Sequence, residues 1–112
     1  LPITIDGYAV QNPAGAAGDL EVFLGPFADP SSPDAFTSSN YWIIGLGPLN
    51  EDGLYDWATV SESSLQSLYV LVRDVERFKA QYEADVLATL AAQGFTGFLN
   101  KPRETNQENC HY

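Results

Sequence analysis

Few residues of this chain have the types and the spacing that catalysis or metal binding requires. Glu51, Asp52 and Asp56 form an acidic group, which we assign to a solvated turn because nothing in the neighbouring sequence would shield it from water. Cys110 and His111 are adjacent, but two neighbouring ligands without partners at zinc spacing do not define a metal site. The sequence contains no serine-centred motif and no phosphate-binding glycine loop. We therefore predict no catalytic residues and no metal site.

The single cysteine lies in a polar C-terminal tail, residues 103–112. In a secreted protein an odd cysteine indicates a bond to another chain, whereas in a cytosolic protein it is an ordinary free thiol. We interpret the chain as secreted. The sequence therefore predicts a disulfide from Cys110 to another chain.

Composition and charge limit the classes of partner. The chain has 112 residues, 45% of them hydrophobic, which fits one globular domain with a core. Its formal net charge of −10 repels phosphate backbones and anionic lipid, so we expect no nucleic acid partner. No apolar run approaches the roughly 18 residues of a membrane span, and the first residues do not resemble a signal peptide. These features indicate a soluble, already processed chain without membrane insertion.

Alternating apolar and polar residues, rich in β-branched and aromatic side chains, predict strands separated by turn-forming residues. Short polar links between most of these strands favour antiparallel neighbours. Residues 27–39 are rich in proline and serine and predict a long, exposed and flexible loop. The predicted strands cover residues 1–10, 20–24, 40–46, 54–60 and 65–73.

After the last of these strands the apolar period changes to three or four residues, which predicts a helix over about residues 75–93. Asp74 is the predicted N-cap, and Gly94 is the predicted left-handed residue just past the helix end. Residues 96–99 are expected to add a short strand. The apolar stripe of the helix should pack on the outside of the sheet and consists of Phe78, Tyr82, Val86 and Leu90.

The number of strands poses a problem for a closed barrel. An up-and-down barrel that holds one small ligand uses about eight strands, and this chain supplies fewer. An incomplete sheet leaves open edges whose unpaired backbone groups invite association. We therefore expect either strands from another chain or a covering element that the sequence does not reveal.

Four segments resemble, in order and spacing, the latter part of lipocalins, especially the bacterial-type and apolipoprotein D-like branch. The helix and the Gln93-Gly94-Phe95 sequence that follows are similar to the family's C-terminal helix and its exit. The resemblance covers about residues 3–102. It implies that residues 1–102 form the C-terminal part of a mostly β fold, an up-and-down antiparallel lipocalin-type barrel with one C-terminal α-helix. The segments are Leu20-Glu21-Val22-Phe23-Leu24-Gly25-Pro26-Phe27, Asn40-Tyr41-Trp42-Ile43-Ile44, Tyr55-Asp56-Trp57-Ala58-Thr59-Val60 and Leu68-Tyr69-Val70-Leu71-Val72-Arg73.

The chain also departs from the family pattern. The resemblance gives Arg73 a structural role, because the family's arginine at this position packs over a tryptophan of a Gly-X-Trp motif in the first strand. This sequence contains no Gly-X-Trp, and the opening strands that carry it are absent. The turn after the third strand, Gly47-Pro48-Leu49, also differs from the family's usual Thr-Asp-Tyr. We therefore expect a separate N-terminal chain to complete the barrel and to bond Cys110.

The resemblance implies that the inner face of the barrel is the face that carries Arg73. Strand alternation then decides which side chains line the interior. On the second strand the phase is set by Glu21, which should point away from an apolar cavity. On the third and fourth strands the resemblance, not a local pattern, selects Tyr41 with Ile43 and Trp57 with Thr59. Trp42 would face inward instead if a bulge shifted the third strand. The predicted ligand-lining residues are Leu20, Val22, Leu24, Tyr41, Ile43, Trp57, Thr59, Tyr69 and Leu71.

Such a lining predicts a function in binding. Apolar and aromatic walls suit a small hydrophobic ligand, such as a conjugated pigment, and we expect a bound chromophore or lipid. The chain would then be a secreted carrier. Two other classes stay open: a lipocalin-like enzyme acting on an apolar substrate, and an interaction protein whose open sheet holds no ligand.

Overall fold

The computed structural model describes residues 3–110 and contains one five-stranded antiparallel sheet followed by two helices. The strands are adjacent in chain order, so the sheet is a simple meander with β1 at one edge and β5 at the other. This confirms a mostly β, antiparallel architecture. The elements are β1 (Gly7–Gln11), β2 (Asp19–Leu24), β3 (Tyr41–Leu46), β4 (Trp57–Ser61), β5 (Tyr69–Val72), α1 (Val75–Gln81) and α2 (Glu83–Ala92).

Several strands are shorter than the sequence predicts. β1 begins at Gly7 because its partner β2 ends at Leu24, opposite Gly7, and the chain then turns at Gly25 with φ +107°. Residues 3–6 are exposed, and Leu1 and Pro2 of the predicted strand lie outside the described residues. β5 begins only at Tyr69, because the Glu62 carboxylate accepts hydrogen bonds from several groups of the preceding turn. These hydrogen bonds lower the pKa of Glu62 to about 2, and the bond from the Ser64 hydroxyl has the largest effect.

The C-terminal region has two helices where the sequence predicts one. The backbone leaves helical geometry at Tyr82, with φ −126° and ψ −27°, which separates α1 from α2. The predicted caps are confirmed: Asp74 accepts a hydrogen bond from the Arg77 N–H, and Gly94 has φ +100°. The strand predicted over residues 96–99 is wrong. That segment is a turn in which the Asn100 side chain accepts from the Gly97 N–H and donates to the carbonyl of Leu65.

The helices pack on one face of the sheet, which we call the helix face. The buried cluster there contains Phe78, Val86, Leu90 and Phe95. The predicted packing of the helix stripe on the sheet is therefore confirmed. The sheet residues packed against this cluster are Ile44, Trp57, Val70 and Val72.

The loop between β2 and β3 covers the helix face of β1 and β2, where the helices do not reach. The Glu21 carboxylate, 9% exposed, accepts hydrogen bonds from the backbone N–H groups of Thr37, at 2.7 Å, and Ser38, at 3.1 Å. The Tyr8 hydroxyl accepts from the Asp34 N–H at 2.8 Å. These contacts tie Asp34, Thr37 and Ser38 to the strands, while most of residues 27–39 are exposed, as predicted. The loop thus contacts the helix face at β1 and β2, and the two helices pack on it at β3, β4 and β5.

Candidate ligand-binding face

The opposite face of the sheet, which we call the bare face, is lined by apolar and tyrosine side chains. Directly paired residues of neighbouring strands point to the same side of a sheet, and residues two apart on one strand do so as well. The pairs Leu20↔Tyr41, Ile43↔Val60 and Val60↔Tyr69 therefore connect one face across β2 to β5. The bare face consists of Leu20, Val22, Leu24, Tyr41, Ile43, Leu46, Ala58, Val60, Tyr69 and Leu71, with Gly7, Ala9 and the polar Gln11 on β1.

The structure brings most of the predicted ligand-lining residues together on this face. The phase set by Glu21 on β2 is the observed one, since Glu21 lies on the helix face. Trp42 also lies on the helix face, where its indole N–H donates to the Asp19 carboxylate at 2.9 Å. The bulge in β3 follows Trp42, between Ile43 and Gly45, and leaves its phase unchanged. The predicted residues on the bare face are Leu20, Val22, Leu24, Tyr41, Ile43, Tyr69 and Leu71.

Trp57 and Thr59 do not lie on the bare face, so the prediction that they share one face with the other ligand-lining residues is wrong. Trp57 is paired with Val72 and Thr59 with Val70, and both valines pack against the helices. The bare-face positions of β4 are occupied by Ala58 and Val60, which the sequence interpretation missed.

The indole of Trp57 lies against two glycines, Gly45 on β3 and Gly47 just after it, which together we call the glycine trough. A Cβ atom at Gly47 would be 2.5 Å from Trp57 Cδ1 and Nε1, and one at Gly45 would be 3.4 Å from its Cζ3. The space left between α2 and this part of the sheet is a cavity of about 40 Å³. Ligand pockets usually hold roughly 300–1,000 Å³, so this cavity cannot take the expected ligand. The sequence signal for this position of Trp57 was the pair Gly45, on β3, and Gly47, just after β3.

Much of the bare face is open to solvent. Leu24 is 68% exposed, Tyr69 59% and Leu71 48%, although Val60 in the middle is buried. β1 and β5 each have a single neighbour in the sheet, so each presents one unpaired edge. Exposed apolar side chains on one sheet face between two open edges are typical of a surface that binds a ligand or a partner protein.

Arg73 directly follows β5, beside Asp56. Its backbone N–H donates to the carbonyl of Asp56, and its Nε donates to the carbonyl of Tyr55 at 2.6 Å. The structural role predicted for Arg73 stays a prediction.

The sequence assigned Asp56 to a solvated turn, but in the structure this residue is only 7% exposed. Its two carboxylate oxygens accept from Arg77 Nε at 2.9 Å and from Arg77 Nη2 at 2.7 Å, and the Tyr82 hydroxyl adds a longer bond. Hydrogen bonding by Arg77 holds the pKa of Asp56 below its usual value, against the effect of burial. The ion pair between Asp56 and Arg77 connects the start of β4 to α1. It is therefore a structural ion pair.

The remaining chemical features are few. Among residues 3–110 there is no group of three or more His, Cys, Asp or Glu side chains placed to hold a metal ion. Within the same range no helix is both long and apolar enough to cross a membrane. The Cys110 thiol is exposed and not bonded within the chain. Comparisons with protein-family models, with curated proteins and with solved structures found no match to this chain.

Proposed function

We propose that this chain is the C-terminal part of a secreted lipocalin-type binding protein that carries a small hydrophobic ligand, a chromophore or a lipid, on the bare face. The observation that supports this proposal is the contrast between the two faces of the sheet. The helices and the loop pack on the helix face, whereas the bare face carries exposed apolar side chains, among them Leu24, Leu46 and Leu71. Apolar surface left in water costs about 25 cal/mol per Å², which favours a bound ligand or partner there.

The side chains of the bare face suit a ligand with an extended apolar body. Aliphatic residues provide most of the surface, while Tyr41 and Tyr69 combine an aromatic ring with a hydroxyl that can orient a ligand. Tyr69 pairs with Val60 in the middle of the face. A ligand lying across Val60 would contact residues of several strands at once.

We further propose that a separate N-terminal chain supplies the strands that close the barrel. A barrel around one small ligand needs about eight strands, and this sheet contains five. The open edges of β1 and β5 are the two places where further strands would pair. The exposed Cys110 thiol is available to bond that chain.

An interaction protein without a ligand is the second candidate, and the same open edges favour it. In that case partner strands would cover the sheet and the bare face would become a dry core. The contacts of Asp56 give no support to an enzyme, because Arg77 and Tyr82 already occupy its carboxylate.

The ligand proposal predicts that the neutral fluorescent probe phenylnaphthylamine binds to this chain. A carboxylate in the middle of the binding surface would have to be desolvated by the probe, so Leu71→Asp should weaken binding by about tenfold or more. Leu24→Asp should act in the same direction. Both positions are exposed in the free chain, so the substitutions should not prevent folding. Fluorescence titration measures the affinities.

Phe27→Asp is the matched control for this experiment. Phe27 is 97% exposed and lies beyond the end of β2, away from the bare face. The control should bind the probe like the unaltered chain. Equal loss in all variants, or no binding by the unaltered chain, would contradict the ligand proposal.

The two-chain proposal predicts the masses of the protein isolated from its source. Without reductant, mass spectrometry should detect a species heavier than this chain, and reduction should release a second, different chain. A doubled mass of this chain would instead indicate a homodimer through Cys110. The mass of this chain alone, with a free thiol, would contradict a covalent partner.

A further inference from the structure

A groove lies beside the start of β1, at the end of the sheet where the chain turns after β2. Residues 4–6 form one wall and residues 25–28 the other, and the groove has a volume of about 280 Å³. The Gly25 N–H joins the two walls by donating to the carbonyl of Asp6 at 3.0 Å. The lining residues are Thr4, Ile5, Asp6, Gly25, Pro26 and Ala28.

The groove exposes apolar side chains to solvent. Ile5 in the first wall is 65% exposed, and Phe27, which lies between two lining residues of the second wall, is almost fully exposed. Both walls lie outside the strands that form the bare face. Large apolar residues exposed on adjoining segments are typical of an interaction surface.

Charge is distributed unevenly along the chain. All five lysine and arginine residues lie within residues 73–103, after β5, whereas aspartate and glutamate occur throughout residues 1–72. Asp6 lines the groove and Asp29 directly follows it in the chain, and neither takes part in an ion pair within residues 3–110. The acidic side chains at the groove are therefore not neutralised by a cation of the described chain.

The position of the groove also separates it from the strand that the cations follow. β5 is at the opposite edge of the sheet from β1, four strand spacings or about 19 Å along the sheet. Charges in water are screened over about 8 Å at physiological salt. A cation brought by a partner would therefore be attracted to the groove.

The same charges disfavour several other occupants. A second copy of this chain would bring like charge to the groove, because the formal net charge of the chain is −10. Phosphate backbones and anionic lipid surfaces are repelled for the same reason. The occupant with complementary chemistry is a protein segment that carries both apolar and basic side chains.

We propose that this groove docks a short segment of a partner protein in which lysine or arginine side chains lie next to apolar ones. Ile5 and Asp6 are neighbours in the first wall, so the apolar and basic side chains of the partner must also be close together. A contact of this small size binds weakly and suits a transient partner. This inference goes beyond the proposed ligand-binding function, because the groove lies outside the bare face.

The test is a titration of a labelled peptide, in which lysine alternates with leucine, with the full chain, followed by fluorescence anisotropy. Ile5→Ser removes an apolar contact and should weaken binding by about tenfold. Asp6→Asn removes one exposed charge and should weaken binding about two- to fivefold, with a smaller effect at higher salt. Both positions are exposed and precede β1, so both variants should fold.

Leu49→Ser and Asp52→Asn are the matched controls, because they make the same kinds of change in the turn between β3 and β4. Leu49 is 60% exposed, close to the value for Ile5, and Asp52 is exposed like Asp6. Both controls should bind the peptide like the unaltered chain. A second peptide with glutamate in place of lysine should bind about tenfold or more weakly.

Equal weakening by a groove variant and its matched control would mean that the peptide binds elsewhere, and it would overturn the inference. Equal affinity for the lysine and glutamate peptides, or no binding of the lysine peptide, would overturn it as well. Sedimentation velocity tests the remaining occupant. Self-association of the unaltered chain that Ile5→Ser abolishes would assign the groove to a second copy and contradict the proposed partner.

Discussion

Replacing Phe78 with Ala is expected to lower the free energy of unfolding by about 3–5 kcal/mol. Phe78 is the buried residue of α1, and it joins Val86, Leu90 and Phe95 in the cluster that holds the helices on the sheet. Its removal leaves a cavity that rigid neighbours can fill only in part. Urea denaturation followed by circular dichroism measures the change, provided that the denaturant dependence stays the same.

Phe27→Ala is the control for this measurement. Phe27 is the same residue type but is 97% exposed, so its replacement should change stability by no more than about 0.5 kcal/mol. Equal stability of the Phe78→Ala variant and the unaltered chain would contradict the packing of α1 on the sheet. Probe affinity per folded molecule should be unchanged in the Phe78 variant, because the cluster and the bare face lie on opposite sides of the sheet.

Local patterns predicted the bare face on the strands where a polar or charged residue fixed the phase. On β2, alternation around Glu21 was sufficient, although the sequence did not reveal that Glu21 is buried under the loop. Thr37 and Ser38 lie far along the chain from Glu21, and nothing near either segment signals that their N–H groups bind its carboxylate. The position of the loop therefore depends on a contact that strand and turn patterns do not encode.

The phase of β4 was mispredicted for a different physical reason. The resemblance to lipocalins placed Trp57 and Thr59 together on the inner face. In the structure the indole needs space between the sheet and α2, and that space exists because Gly45 and Gly47 carry no side chains. The packing of Trp57 against Gly45 and Gly47 therefore determines which face of the sheet Trp57 occupies. The residue pattern of β4 alone could not predict this packing.

The helix break and the strand ends depend on similar nonlocal contacts. The apolar period continues through Tyr82, so the sequence predicts an uninterrupted helix. In the folded chain the Tyr82 hydroxyl is bonded to Asp56 at the start of β4, and the backbone at Tyr82 leaves helical geometry. Similarly, β1 is short because β2 offers no further partner beyond Leu24.

The glycine trough gives the second prediction with a large effect: Gly47→Ala should lower the free energy of unfolding by about 1–3 kcal/mol. Gly47 is buried, and the added methyl group would lie 2.5 Å from Trp57 Cδ1 and Nε1, which is closer than real Cβ contacts. The indole or the strand must therefore move, and both are held by the helix cluster. Denaturation of the single variant measures this cost.

A double-mutant cycle with Trp57→Phe identifies the cause of the effect. Phenylalanine lacks the five-membered ring whose atoms meet the new methyl group, and it also lacks the buried Nε1 that has no hydrogen-bond partner among the described residues. Gly47→Ala should therefore cost clearly less in the Trp57→Phe background than in the unaltered chain. Equal costs in both backgrounds would mean that the methyl group does not meet the indole, and the seat assigned to Trp57 on the helix face would be wrong.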